Sequence, residues 1–140
     1  MHSENFHSPE ELQEWGRLFA SSLSKGSVVA LIGDLGAGKT TLVQGIVGGI
    51  SGANPSHVCS PTFSFLHIYE GDLPLYHFDL YRLPSSSEFV AAGFDEYLDS
   101  DGITCIEWPE KIRSLLPKTT WILHLSHVKE GQRKLTVSHG

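Results

Sequence analysis

A length of 140 residues, with 40% hydrophobic and 19% charged side chains, is typical of a single globular domain and predicts one domain over residues 1–140. The formal net charge of −6 argues against a broad nucleic-acid-binding face, so we expect no DNA binding and, if RNA is involved, a partner that holds it. No apolar run approaches the roughly 20 residues of a membrane span, and the amino terminus lacks a signal segment, so we expect a cytoplasmic protein without membrane contact.

The amino-terminal segment predicts a short edge strand followed by an amphipathic helix. A weak strand signal covers Asn5 to His7, and Ser8 then reads as a helix N-cap with Pro9 at the first helical position. Apolar residues recur at helical spacing until Lys25 and Gly26 end the helix; they are Leu12, Trp15, Phe19 and Leu23. This face is expected to be core, and the start of the helix is an alternative candidate for the wall of an adenine pocket.

A complete phosphate-loop motif, Gly-Asp-Leu-Gly-Ala-Gly-Lys-Thr, occupies residues 33–40. It follows a β-branched run over 27–32 and precedes a helix whose apolar face runs from Leu42 to Ile50. The glycines let successive backbone N–H groups approach an anion, and the start of the helix adds positive potential. Lys39 is placed to reach the β- and γ-phosphates, and the Thr40 hydroxyl can bind Mg²⁺.

Three later segments carry further candidate site residues. Ser60 and Thr62 flank a proline in a stiff extended corner, where a phosphate-binding protein can have a switch segment. Asp79 lies near the end of a strand predicted over 75–81, the edge at which open α/β sheets bind ligands. Because strand residues alternate, His77 and Asp79 face the same side, and a metal-binding pair is a minor hypothesis.

The last third of the chain predicts two short helices, a buried strand and a hairpin. The segment from Leu83 to Tyr97 reads as one or two helices interrupted at Gly93. The apolar run 102–106 ends directly in Glu107, as in the strand that carries the second carboxylate of phosphate-loop ATPases. Residues 120–127 and 132–138 alternate apolar and polar side chains around a Lys-Glu-Gly turn. The predicted fold is therefore an α/β phosphate-loop NTPase domain with a mostly parallel mixed sheet, flanking helices and a carboxy-terminal antiparallel hairpin.

The two cysteines, Cys59 and Cys105, lie in unrelated contexts and form no Cys-x-x-Cys pair. Both are expected to be reduced thiols rather than parts of a disulfide framework.

Four separated segments together resemble the TsaE family, also called YjeE. They are Gly-Asp-Leu-Gly-Ala-Gly-Lys-Thr-Thr at 33–41, Ser-Pro-Thr-Phe at 60–63, His-Phe-Asp-Leu-Tyr-Arg at 77–82 and Glu-Trp-Pro-Glu at 107–110. The resemblance implies an ATPase that binds ATP and Mg²⁺ and works with the TsaB and TsaD proteins. These proteins together form threonylcarbamoyladenosine at position 37 of tRNAs that read ANN codons, so tRNA would be contacted only through the complex.

The resemblance also implies roles for individual residues. Thr40 and Glu107 would hold magnesium, and Asp79 the nucleotide-bound water or the metal shell, which makes Asp79 and Glu107 the catalytic candidates. Either Arg133 or Lys134 would be the basic residue near the base. The residues implied to contact nucleotide are Gly36, Ala37, Gly38, Lys39, Thr40, Thr41, Ser60, Thr62, Asp79, Trp108 and Arg133.

Two other functions stay open at this point. A small phosphate-loop kinase would need an acceptor pocket and an arginine-bearing lid, and the four arginines of this chain form no evident lid. A nucleotide-gated binding module would bind ATP without useful turnover.

Overall fold

A computed structural model describes residues 2–34, 36–50 and 65–139. Its described strands form one seven-stranded sheet. The strands are β1 (His2–Phe6), β2 (Val28–Ile32), β3 (Leu66–Tyr69), β4 (Leu75–Asp79), β5 (Ile103–Glu107), β6 (Trp121–Lys129) and β7 (Gln132–His139).

The sheet is parallel in its middle and antiparallel on both flanks. Its strand order is β1-β7-β6-β2-β5-β4-β3. The central strand β2 pairs in parallel with β5 and β6, and β4 continues this direction beside β5. The hairpin β6–β7 and the pairs β1–β7 and β3–β4 are antiparallel. These observations confirm the predicted α/β fold with a mixed sheet and a carboxy-terminal hairpin.

Helices cover both faces of the sheet. Helices α1 (Pro9–Phe19) and α2 (Lys39–Ile50) pack on one face, where the phosphate-loop helix buries Leu42, Val43, Ile46 and Val47 completely. The other face is covered by α3 (Ser86–Ala91) and by 3-10 helices at Phe94–Asp99 and Pro109–Leu115. Within the part of the chain that the structure describes, no helix has the length and apolar character needed to cross a membrane.

Local sequence signals account for how two of these helices begin and end. The Ser8 hydroxyl accepts a hydrogen bond from the Glu11 backbone N–H at 3.1 Å, which confirms the predicted N-cap of α1. Gly93 adopts a left-handed conformation with φ 79°, and this breaks the segment after α3 as predicted.

Some boundaries differ from the sequence predictions. Strand β1 covers His2–Phe6 rather than Asn5 to His7, because pairing with β7 compensates for weak local strand propensity. Helix α1 ends at Phe19 and a 3-10 turn follows at Ala20–Ser22, a segment rich in serine, which favours turns over helix interiors. Strand β4 ends at Asp79, because the Asp79 carboxylate accepts the Tyr81 backbone N–H and closes a turn.

Glycines bring α1 and α2 into close contact. A Cβ atom on Gly45 would overlap the Gln13 carbonyl group, and one on Gly49 would overlap the Arg17 carbonyl oxygen. The backbones of the two helices therefore touch, which places the beginning of α1 beside the phosphate loop at the beginning of α2.

Candidate functional site

The phosphate loop connects the carboxyl end of β2 to the beginning of α2. Gly36 and Gly38 have φ angles of 79° and 108°, a region that favours glycine over residues with a Cβ. The Ala37 backbone N–H donates to the Asp34 carbonyl oxygen at 3.0 Å, which stabilises the turn at the middle of the loop. The first helical residue of α2 is Lys39. The loop thus places its backbone next to the amino-terminal end of α2, where an anion would bind.

Lys39 is buried although it is charged. Its side chain is 5% exposed, and its Nζ atom has no hydrogen-bond partner among the described residues. The ammonium lies over the Trp108 ring, 3.7 Å from the ring centroid. Burial lowers the pKa of Lys39, and the carboxylates of Glu107 and Asp79 partly oppose this shift. This cation therefore lies in a partly dehydrated site, and no described residue gives it an anionic hydrogen-bond acceptor.

Two carboxylates from neighbouring strands face the same cavity. Asp79 and Glu107 end β4 and β5, and their Cα atoms are paired in the parallel register. Both residues are buried, with exposed fractions of 5% and 4%. One oxygen of Asp79 accepts the Tyr81 backbone N–H at 3.0 Å, and one oxygen of Glu107 lies 2.6 Å from His77 Nε2. The ladder between the two strands therefore fixes the carboxylates side by side.

Trp108 holds a left-handed backbone conformation directly after β5. Its φ and ψ angles are 59° and 51°, which are unusual for a bulky residue and cost on the order of 1–2 kcal/mol. Pro109 follows it and begins a 3-10 helix, so the corner between strand and helix is stiff. The indole packs at 5.0 Å from the Tyr81 ring as well as under the Lys39 ammonium. The strained corner thus aims the indole back over the phosphate loop.

A cavity of about 540 Å³ collects most of the predicted site residues. It also includes Tyr81 and Arg82, to which the sequence analysis assigned no role. Both lie in the segment 77–82 that carries the resemblance, which was the available signal. The lining residues are Gly36, Gly38, Lys39, Thr40, Thr41, Asp79, Tyr81, Arg82, Glu107 and Trp108.

A second cavity of about 360 Å³ shares Gly36, Gly38 and Thr41 with the first. Arg133 lines it, and its guanidinium Nε donates to the Ala37 carbonyl at 3.1 Å. A longer bond of 3.4 Å joins Arg133 Nη2 to the Gly36 carbonyl. The alternative basic residue, Lys134, is exposed and does not line this cavity. The other lining residues are Ser8, Pro9, Leu12, Gly36, Ala37, Gly38, Thr41 and Gly131, so the start of α1 forms one wall.

Some predicted site residues lie away from the cavity or outside the described residues. His77 is completely buried and is bonded to Glu107, so it does not form a metal-binding pair with Asp79. The imidazole reaches across to Glu107 on the next strand and does not line the cavity. Ser60, Thr62 and Cys59 lie outside the described residues, and Cys105 is a free, buried thiol in β5 whose pKa is raised by burial.

The oxygen ligands in the first cavity suit magnesium better than a softer metal. Thr40, Asp79 and Glu107 provide hydroxyl and carboxylate oxygens, the ligands that Mg²⁺ prefers. Among the described residues, no group of three or more His, Cys, Asp or Glu side chains could hold a metal ion. Magnesium in nucleotide sites needs only one or two carboxylates, because phosphates and water complete its coordination. The residues present therefore fit an ion that arrives with a nucleotide.

Comparisons with known proteins agree with this architecture. Residues 6–135 match the family model described as threonylcarbamoyl adenosine biosynthesis protein TsaE. The chain is 39% identical to the TsaE protein of Treponema pallidum over 131 residues, which cover 94% of this chain and 96% of that protein. It is 37% identical to the TsaE protein of Bacillus subtilis over 129 residues, which cover 91% and 79% of the two chains.

The fold is also similar to a solved structure. The crystal structure of YdiB from Bacillus subtilis superposes with a TM-score of 0.80 and 30% sequence identity, covering 99% of this chain and 86% of that one. The family match extends over nearly the whole chain and includes the loop, both strand-end carboxylates and Arg133. This chain therefore belongs to the TsaE family.

Proposed function

We propose that this protein is a Mg²⁺-dependent ATPase that acts with TsaB and TsaD in forming threonylcarbamoyladenosine at position 37 of tRNAs that read ANN codons. Support for the pathway comes from the family model, whose description names threonylcarbamoyl adenosine biosynthesis. Support for ATP comes from the phosphate loop and the two cavities that adjoin it. The proposal places tRNA on the partners, in keeping with the net charge of −6.

The buried Lys39 ammonium is the observation that carries the proposal. A buried cation is costly unless an anion or a hydrogen-bond acceptor compensates it. Lys39 has an aromatic ring beside it but, among the described residues, no acceptor for its Nζ atom. A phosphate held by the loop N–H groups would supply that acceptor with both charge and geometry.

In this proposal the nucleotide occupies both cavities. The phosphates would lie in the larger cavity against Lys39, and the base would lie in the smaller one between α1 and Arg133. Thr40 and Glu107 would hold magnesium, which neutralises phosphate charge when it is bound. Asp79 and Glu107 are the carboxylates that can orient an attacking water, and Trp108 and Tyr81 line the same cavity.

Glu107→Gln tests the carboxylate at the end of β5. The amide keeps the shape and can still accept from His77, but it removes the charge that magnesium requires. We expect Mg²⁺-dependent ATP hydrolysis to fall at least about tenfold, while the affinity for ATP without Mg²⁺ changes less than about threefold. Phosphate release and isothermal calorimetry measure the two quantities. Glu110→Gln, at an exposed acid on the 3-10 helix that follows, is the matched control.

Two outcomes would contradict the assignment. Equal loss of nucleotide affinity and turnover in Glu107→Gln would indicate a structural role for the carboxylate. Phosphorylation of an added acceptor at the rate of ATP loss would favour the kinase alternative, so the products should be analysed together with the released phosphate.

A further inference from the structure

His77 is a buried histidine that touches one of the two site carboxylates without lining the site. It lies in the middle of β4 and is 0% exposed. Its Nε2 atom is 2.6 Å from Glu107 Oε2, and the Glu107 side chain is itself 5% exposed. Glu107 lines the larger cavity, whereas His77 does not. The imidazole therefore lies behind Glu107 as seen from the nucleotide site.

The strand register explains how the two side chains meet. In the β4–β5 ladder, Asp79 is opposite Glu107, and His77 is opposite Cys105. His77 and Glu107 are thus diagonal neighbours in this parallel ladder. A histidine ring is long enough to span this diagonal, and it ends with a nitrogen at the carboxylate.

The hydrogen bond has a defined direction. An ionised carboxylate can only accept a hydrogen bond, so His77 Nε2 is the donor when Glu107 is charged. The other ring nitrogen, Nδ1, is buried and has no hydrogen-bond partner among the described residues. The imidazole therefore has one polar contact in the described structure, and that contact is to the site carboxylate.

We propose that His77 is a positioning residue that fixes the Glu107 carboxylate for magnesium. The inference rests on the proposed Mg²⁺-nucleotide site. With Oε2 held by His77, the side chain of Glu107 keeps one rotamer and presents its other oxygen to the cavity. Hydrogen bonds of this kind to ligating groups typically change metal affinity by a factor of 10–100. A merely structural histidine would instead affect the folded state and all nucleotide binding alike.

A matched pair of variants separates the two roles. His77→Gln retains an N–H donor at nearly the same distance from the backbone, and His77→Met has a similar length without a donor. The readout is the equilibrium binding of a fluorescent ATP analogue at increasing Mg²⁺ concentration, together with its affinity in the absence of metal. His2→Met, an exposed histidine on the edge strand β1, controls for the substitution itself.

The measured quantity is the Mg²⁺ concentration at which the increase in affinity for the ATP analogue is half complete. We expect it to rise about tenfold in His77→Met and to stay within about threefold of the parent in His77→Gln. The metal-free affinity should remain within about twofold of the parent in both variants. A half-maximal Mg²⁺ concentration in His77→Met within twofold of the parent would overturn the role of His77 alone. Absence of any Mg²⁺ effect in the parent would overturn the proposed magnesium site and, with it, this inference.

A measurement on the unmodified protein covers the case in which His77→Met fails to fold. Nitrogen-15 NMR of histidine-labelled protein reports which ring nitrogen carries the proton. We expect a His77 Nε2–H signal that is protected from exchange and persists with MgATP. A proton on Nδ1 only would overturn the inference.

Discussion

At the scale of single residues, Lys39 and Trp108 form the most unusual contact in the site. The ammonium lies on the indole, which contributes about 1–2 kcal/mol in a partly dehydrated setting. This contact only partly replaces the hydration that burial removes, as the lowered pKa of Lys39 indicates. The site is thus prepared for an anion at some expense to the stability of the free protein.

Replacing Lys39 with Met should separate binding from folding. The substitution removes a buried charge that has no hydrogen-bond partner among the described residues, and it keeps the length of the side chain. The free energy of unfolding should therefore stay equal or rise by about 1 kcal/mol at pH 7. Binding of MgATP should fall at least about a hundredfold, or about 2.7 kcal/mol, because the phosphate loses its cation. Chemical denaturation and calorimetry measure these two effects. A loss of stability with unchanged binding would contradict the assignment of Lys39 to phosphate.

Because the pKa of Lys39 is lowered, the difference in the free energy of unfolding between Lys39→Met and the parent depends on pH. The folded protein binds the lysine proton more weakly than the unfolded chain does. The buried charge therefore lowers the free energy of unfolding at every pH at which Lys39 is charged in the folded protein. The stability of the parent should therefore increase as the pH rises from the lowered pKa toward the ordinary value of 10.5. The free energy of unfolding of Lys39→Met should exceed that of the parent most near neutral pH, and this excess should disappear above about pH 10.5.

At the scale of elements, the Arg133 side chain of the β6–β7 hairpin forms hydrogen bonds to the phosphate loop. Arg133 donates to the carbonyls of Ala37 and Gly36, the two loop residues that precede Gly38. The next residue, Lys134, is exposed, because successive residues of a strand point to opposite faces. The Arg133 guanidinium thus holds these two loop carbonyls toward the hairpin.

Arg133→Met should weaken nucleotide binding about tenfold with or without Mg²⁺, because it loosens the loop without touching the metal ligands. Lys134→Met is the matched control and should bind nucleotide like the parent. Calorimetric titration with ATP, once in EDTA and once in Mg²⁺, measures the affinity of both variants. A loss that appears only with Mg²⁺ would place Arg133 in the metal shell instead and contradict the contact described above.

At the scale of the whole molecule, the site lies at the carboxyl edge of the parallel part of the sheet. β2 leads into the phosphate loop, and β4 and β5 end at the two carboxylates of the site, Asp79 and Glu107. Trp108 and Tyr81 form an aromatic rim on the same edge, and Tyr81 is 43% exposed. A partner that docks on this rim would press on the residue that covers Lys39. This geometry makes Trp108 the candidate for coupling partner binding to ATP hydrolysis.

Trp108→Ala should bind MgATP within about threefold of the parent but lose most of the stimulation of ATPase activity by TsaB and TsaD. We expect the parent to hydrolyse ATP slowly alone and faster with these partners. Leu18→Ala, at an exposed apolar residue on α1, should respond to the partners like the parent. Full stimulation of Trp108→Ala would show that the indole is only a packing residue and that coupling occurs elsewhere.

Local patterns in the sequence were enough to predict the main elements of this protein. The phosphate loop, the cap at Ser8 and the break at Gly93 depend on residue types whose backbone preferences act over a few positions. The alternation of apolar residues predicted the carboxy-terminal hairpin in the same way. The end of the strand at Glu107 was also visible, since an acid directly after an apolar run marks the edge of a buried strand.

Other properties were decided by contacts between residues that are far apart in the chain. The bond between His77 and Glu107 joins residues 30 positions apart, and the bond between Arg133 and Ala37 joins residues 96 positions apart. Neither bond follows from periodicity, because periodicity fixes the face of a side chain and not which atom on another strand it meets. The left-handed Trp108 is a similar case, since its strain is tolerated only where neighbouring packing compensates for it. The sequence by itself determined the kind of site, and the tertiary structure decided which side chains support it.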